Sequence, residues 1–451
     1  MIHGGLSLLI LFASILSLLM CRYLLKAANG NLRLPSISNF FMYNYFVFCF
    51  IGATLLNLFY FEYQDSIGIY KRMDLVLNIW YYSVAGLFLI PLGMLIANIL
   101  TGYRPKYFST KLISKPIEIS NADKSCKMGF IIATYFVVSV ITMILFMMSL
   151  NNVPIISVLR GEIDGVILSQ VRSEAGNDYQ GGMGRLNYIF RTLPIVILCI
   201  LFFTRNINFK WKIFFFAVLF LNIFISIMEL HKAPVIQLVM LLALTFIYEK
   251  RKLNIKLIVY GGLITAGAIL LMYAFFAGLG DRGIAAVLIA PFNRIFIGQI
   301  WPFYFWQLYL ESHGLLWGAT FSNPGGLLPF ENIVITKEIN SIVFPELAKL
   351  GIVGSMPTVF FADWLINFGR TAALFSMVFF GCLIQFIEIF FVNKLSKSKG
   401  LIFSGIYLFL IYYFSQFAGT TFTNLIFDIY LIVPLLASLS IYLFTRTKLT
   451  N

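Results

Sequence analysis

The chain has 451 residues, 60% of them hydrophobic and only 12% charged, with 48 phenylalanines and a formal charge of +14. A soluble domain carries about 25% charged residues and must cover a large polar exterior, so this composition excludes an ordinary soluble protein and makes lipid the solvent. The positive charge does not mark a nucleic-acid binder, because the basic residues sit mostly in short loops between apolar runs, the pattern that orients membrane proteins.

Taken in chain order, apolar runs predict helical spans near 6–25, 40–61, 75–100, 128–150, 186–204, 211–228, 233–248, 256–276, 371–392, 401–418 and 424–445. A bilayer core asks for about 20 apolar residues per helix. The seventh run is short, which suits burial among neighbours. The first run has no basic residue before it and no small-residue cleavage site after it, so it reads as a retained helix rather than a signal peptide. The fold class is all-α, a polytopic integral membrane protein with about eleven spans and one membrane domain over 1–451. Cys21, Cys49, Cys126, Cys199 and Cys382 show neither metal spacing nor a disulfide framework.

Six basic clusters fall in alternate loops: Arg22 to Arg33, Arg104 to Lys127, Arg205 to Lys212, Lys250 to Lys256, Lys394 to Lys399, and Arg446 with Lys448. The positive-inside rule makes that side cytoplasmic. The N-terminus is then expected outside and the C-terminus inside. Two long outer loops follow, 151–185 and 277–370, and loops of such length usually carry function. There is no internal repeat, which weighs against a secondary transporter.

The first outer loop offers Arg160, Arg172 and Arg185, with Glu162, Asp164, Glu174 and Asp178 among them. Arg191 falls in the first turns of the next span, where an arginine either works or snorkels to the interface. A tight hairpin, ISIMELHKAPVIQ, carries Glu229, His231 and Lys232 beside a helix N-terminus. That is a plausible anion site, and the bland alternative is a solvated hairpin with a local Glu–Lys pair. The second outer loop opens with Asp281 and Arg282. Arg294 then stands in an aromatic stretch whose Trp301, Tyr304, Trp306 and Tyr309 suit either sugar stacking or an interfacial belt. Further on, GSMPT precedes Asp363 and Arg370, which are spaced to share one helix face. Asp428 is expected inside the last span, as either a functional acid or a structural hydrogen-bond partner. No nucleotide loop, nucleophile elbow or metal cluster is present in the sequence. That suits chemistry on the outer face with a pre-activated substrate.

From about Asn151 to the C-terminus the chain resembles the Wzy-type oligosaccharide repeat-unit polymerases, including the enterobacterial common antigen polymerase. The resemblance rests on Arg160, the hairpin with Lys232, Arg282 after span eight, Arg294 in the aromatic segment, and GSMPT before span nine. It departs at Lys232, where the family is expected to carry an arginine, because a lysine cannot grip phosphate bidentately. The resemblance implies a GT-C-like fold with two large periplasmic loops in the bacterial inner membrane. It implies a glycosyltransferase that needs neither metal nor cofactor. Such an enzyme joins undecaprenyl-diphosphate-linked oligosaccharides into a surface polysaccharide such as O-antigen. Membrane lipid and a chain-length regulator are its expected partners, and nucleic acid is not. The cations Arg160, Arg172, Lys232, Arg282 and Arg294 would answer the departing diphosphate. Glu162, His231, Asp281 and Asp363 stand as alternatives for accepting the hydroxyl proton. An O-antigen ligase and a lipid-linked oligosaccharide flippase or transporter are the competing readings.

Overall fold

A computed structural model describes residues 4–105, 126–150, 153–160, 170–171, 185–230, 232–250, 292–321, 331–352, 354–397, 401–421 and 428–446, with a few isolated positions between them. In chain order its helices are α1 (Gly4–Asn29), α2 (Ile37–Tyr45), a π-helical turn (Phe46–Ile51), α3 (Gly52–Leu58), α4 (Glu62–Ser66) and α5 (Met73–Thr101). Then come α6 (Cys126–Ser149), α7 (Pro154–Leu159), α8 (Leu186–Thr204), α9 (Phe209–Met228), α10 (Lys232–Lys250), a second π-helical turn (Asn293–Ile297) and α11 (Pro302–His313). The last are α12 (Ile335–Val343), α13 (Pro345–Lys349), α14 (Phe360–Lys397), α15 (Leu401–Gln416), a 3-10 turn (Phe417–Gly419) and α16 (Ile429–Arg446).

Among the described residues, eight helices are long and apolar enough to cross a membrane, and two shorter apolar helices cover Ala233–Glu249 and Ile429–Phe444. This is the all-helical build of a polytopic membrane protein. The expected span 256–276 lies almost wholly outside the described residues. Asp428, expected inside the last span, instead precedes α16 and caps it, its Oδ1 accepting from the Tyr430 amide at 2.9 Å. A short acid satisfies orphan amides at a helix start better than it tolerates the apolar interior of one.

The chain divides into two compact units. The first comprises Met1–Lys111, Leu288–Phe390 and Tyr413–Phe427. In it α1 and α5 run in the same direction, tied by Trp80 Nε1 to Ser14 Oγ at 3.0 Å and Asn98 Nδ2 to Ala28 O at 2.7 Å. The α2–α3 helix runs the other way, with Tyr45 Oη donating to Ser83 O at 3.1 Å and Asn57 Nδ2 to Val76 O at 3.1 Å. Glycines let α5 and α14 touch reciprocally: a methyl on Gly93 would overlap the Val378 carbonyl, and one on Gly381 the Ile90 carbonyl. Small residues serve this purpose in lipid, where burial from water supplies no drive between helices. At one end of this unit buried polar groups close on each other. Glu388 Oε2 accepts the Ile37 amide at 2.9 Å, Ser38 donates to Gln385 Oε1 at 2.7 Å, and Gln385 Nε2 to Asn98 Oδ1 at 2.8 Å.

Within α14 the chain bends back at Gly369, whose φ of 85° and ψ of −173° are non-helical. The rings of Phe360 and Phe380 lie 4.7 Å apart as a result. A straight helix would separate them by about 30 Å. Asp363 and Arg370, expected on one helix face, therefore belong to two differently directed arms. Asp363 is wholly buried and Arg370 exposed.

The second unit comprises Leu112–Val287, Phe391–Tyr412 and Asp428–Asn451. Its centre is α8, buried without interruption from Val196 to Phe202, with α6, α9 and α16 packed around it. Proline begins α7, where its missing N–H costs nothing. Val153, just before that helix, joins Met143, Phe146, Phe190, Leu221 and Met228 in one apolar cluster, flanked by Ile155 and Ile156. This cluster fixes the short α7 against the end of α6, the start of α8 and the end of α9.

Candidate functional site

In the second unit the sequence's scattered charges come together where α8 begins and α9 ends. Arg191, one turn into α8, forms an ion pair with Glu229, which caps the end of α9. Glu229 is 5% exposed and Arg191 is half-buried. The next residue, Leu230, takes a left-handed φ of 55° and is itself buried. A branched side chain adopts that conformation only when its surroundings impose it, and such strain gathers at functional sites. Glu229 thus pairs across to another helix, and the local Glu229–Lys232 pair envisaged for this hairpin involves a side chain outside the described residues.

Around this ion pair sit three further polar side chains. Asn187 lies one turn before Arg191 on the same face of α8 and donates from Nδ2 to Tyr430 Oη at 3.3 Å. The Tyr188 and Tyr430 rings meet edge to face at 5.0 Å. Tyr430 lies within electrostatic reach of Arg191, Glu229 and Asp428. The helix α7 ends at Arg160, which is exposed, and Lys232 begins α10 directly beyond the hairpin. Arg160, Arg191 and the start of α10 thus share one end of this unit. Only the backbone of Lys232 is described, and Glu162, Arg172, His231, Asp281 and Arg282 lie outside the described residues.

In the first unit, irregular backbone converges instead. The π-helical turns Phe46–Ile51 and Asn293–Ile297 pack against each other, and the 3-10 turn Phe417–Gly419 packs on the first of them. Their approach needs Gly52, because a side chain there would overlap the Phe296 carbonyl. The GSMPT stretch is stitched to the same place: Thr358 Oγ1 donates to Gln299 O at 3.0 Å, and Trp306 Nε1 to Met356 O at 3.4 Å. Non-helical backbone inside a membrane bundle is tolerated where protein buries it or where it lines a polar path, and π-turns recur at functional sites. Arg294 stands exposed on the second π-turn. Burial pushes the Tyr63 hydroxyl up, and the neighbouring Arg294 charge pulls it partly back.

One sequence expectation changes here. Trp301, Tyr304, Trp306 and Tyr309 are neither a free stacking surface nor an interfacial belt. They are 6%, 1%, 1% and 6% exposed and form part of the core. Tyr304 is tied to Gly68 O at 3.2 Å, and Gln307 between them to Leu75 O at 3.2 Å. Asp363, one of the alternatives for accepting the hydroxyl proton, is wholly buried. It receives Thr320 Oγ1 at 3.4 Å, and Asn367, one turn on, binds Thr320 at 2.7 Å and the Gly318 amide at 2.7 Å. This buried set moors the loop at 316–320 to the first arm of α14.

Sequence reasoning singled out Arg191 and the hairpin but not their partnership, and it passed over Asn187 and Tyr430. The signal for Asn187 was present as a polar pair at i and i+4 opening an apolar helix. The chain matches no family model, no curated protein and no solved structure.

Proposed function

We propose that the protein is a repeat-unit polymerase. In this reading it transfers a growing glycan from a polyprenyl diphosphate to the terminal hydroxyl of one lipid-linked repeat unit. The observation that carries the reading is the gathering of Arg160, Arg191 and the Lys232 helix start at one end of the second unit. The reaction breaks the bond between the anomeric carbon and the diphosphate oxygen. It forms a glycosidic bond and leaves a proton to be accepted. Charge grows on the leaving diphosphate, and fixed cations in a low-dielectric site stabilise it. Removing one such preorganised donor typically costs about 2.7–4 kcal/mol of barrier. Arg160 is free of ion pairs among the described residues and is suited to that role; Arg294, exposed on the first unit, stands as a separate candidate cation. Arg191, already paired with Glu229, is suited to holding the site's geometry.

The resemblance to Wzy-type polymerases supports the same reading, with an eleven-span GT-C-like topology in a bacterial inner membrane. The alternation of the six basic clusters supports an outer-side position for these helix ends, where lipid-linked oligosaccharides are presented and nucleotide donors are not. The test is purified protein in lipid nanodiscs supplied with polyprenyl-diphosphate-linked repeat units from cells lacking it. A ladder of longer lipid-linked glycans is the expected product. Transfer onto a lipid core instead would make it a ligase, and passage across a vesicle without bond formation would make it a transporter.

A further inference from the structure

Asn187, Tyr188, Arg191, Glu229 and Tyr430 gather polar and aromatic side chains where α8 and α16 begin and α9 ends. Asn187 is 8% exposed, and its Oδ1 has no hydrogen-bond partner among the described residues. A buried amide oxygen left unmade is costly, of the order of 1–3 kcal/mol, so its retention calls for an explanation. The neighbours suggest one. Tyr188 and Tyr430, both half-buried, present phenol rings and hydroxyls at the margin of the group. The Arg191–Glu229 pair adds a planar donor and a carboxylate. Planar amide, carboxylate and guanidinium groups beside aromatic rings make the chemistry that recognises a sugar ring. Each hydroxyl of the ring both gives and accepts a hydrogen bond, while its C–H face meets an aromatic one.

We infer that this group is a sugar-binding subsite, in which Asn187 Oδ1 accepts a hydroxyl of the acceptor repeat unit and Tyr430 fixes the amide's orientation from its other side. The inference rests on the polymerase reading and deepens it by assigning the acceptor to the second unit. Arg191 and Glu229 are positioning residues in it, each holding the other beside Asn187.

The experiment uses the full chain in nanodiscs with two probes. One is the polyprenyl-diphosphate-linked repeat unit, titrated for chain extension. The other is the lipid-free oligosaccharide released from it by mild acid, followed by saturation-transfer NMR. Asn187→Ala and Tyr430→Phe are expected to raise KM for the repeat unit about tenfold, the loss of one hydrogen bond, with kcat changed less. Both variants are also expected to lose the NMR contact of the free oligosaccharide. Asn187→Ser, which keeps an acceptor oxygen, is expected to recover part of KM. It also serves if the alanine variant fails to fold. Wild-type KM and NMR contact in all three folded variants would overturn the subsite and leave the polymerase standing. Free-oligosaccharide binding lost in Asn187→Ala, with no extension by the wild type, would overturn the polymerase and leave the subsite.

Discussion

Arg191 on α8 and Glu229 at the end of α9 form an ion pair between two helices, next to the left-handed backbone of Leu230. The side chains are 23% and 6% exposed, so the pair is largely withdrawn from water. Removing one partner of such a pair strands the other, at a cost of about 3–5 kcal/mol when fully buried. The part-exposure of Arg191 brings the expectation to about 2–3 kcal/mol. Glu229→Ala and Arg191→Ala should each lower the unfolding midpoint in nanodiscs, and the double variant should lose less than the sum. Additive losses would mean that the two side chains do not interact in the folded protein.

Arg160 and Arg294 should behave in the opposite way. Both are exposed, so alanine at either should leave the unfolding midpoint within about 0.5 kcal/mol of wild type. Chain extension should nevertheless fall by about 100-fold or more, the scale of one lost electrostatic donor. Extension rates near wild type in both would remove these residues from the proposed chemistry.

Asp363 separates a structural acid from a catalytic one. Asp363→Asn keeps an oxygen for Thr320 and should retain extension within about threefold, since a lost proton acceptor would instead cost about 100-fold or more. Asp363→Ala should loosen the loop at 316–320. The expected sign is faster hydrogen exchange at the amides of Leu316, Trp317 and Gly318, which now pair with Ile366 O, Asn367 O and Asn367 Oδ1.

Gly369 occupies backbone space that is essentially closed to other residues. Gly369→Ala should cost about 1–3 kcal/mol and part the Phe360 and Phe380 rings, now 4.7 Å apart. A pair of cysteines placed at these two positions should crosslink in the wild-type backbone and fail to do so with alanine at 369. Efficient crosslinking in both would show that the bend does not depend on the glycine.

The sequence by itself determined that this is a helical membrane protein, and it located most of the helices. Long apolar runs have only one stable backbone state in lipid, the helix that satisfies its own hydrogen bonds. Runs 6–25, 128–150 and 186–204 accordingly reappear as Leu6–Asn29, Lys127–Ser149 and Leu186–Thr204. Tertiary structure decided what those rules leave open. Whether Trp306 faces lipid, sugar or core depends on which elements pack over it, and hydropathy is the same in all three cases. Asp363 and Arg370 share a helical spacing, yet one glycine between them redirects the chain. Glu229 has a partner on another helix, Arg191, that its neighbours in sequence do not announce. Pairing between segments follows from the three-dimensional path of the chain, and the periodicity of a single segment carries no record of it.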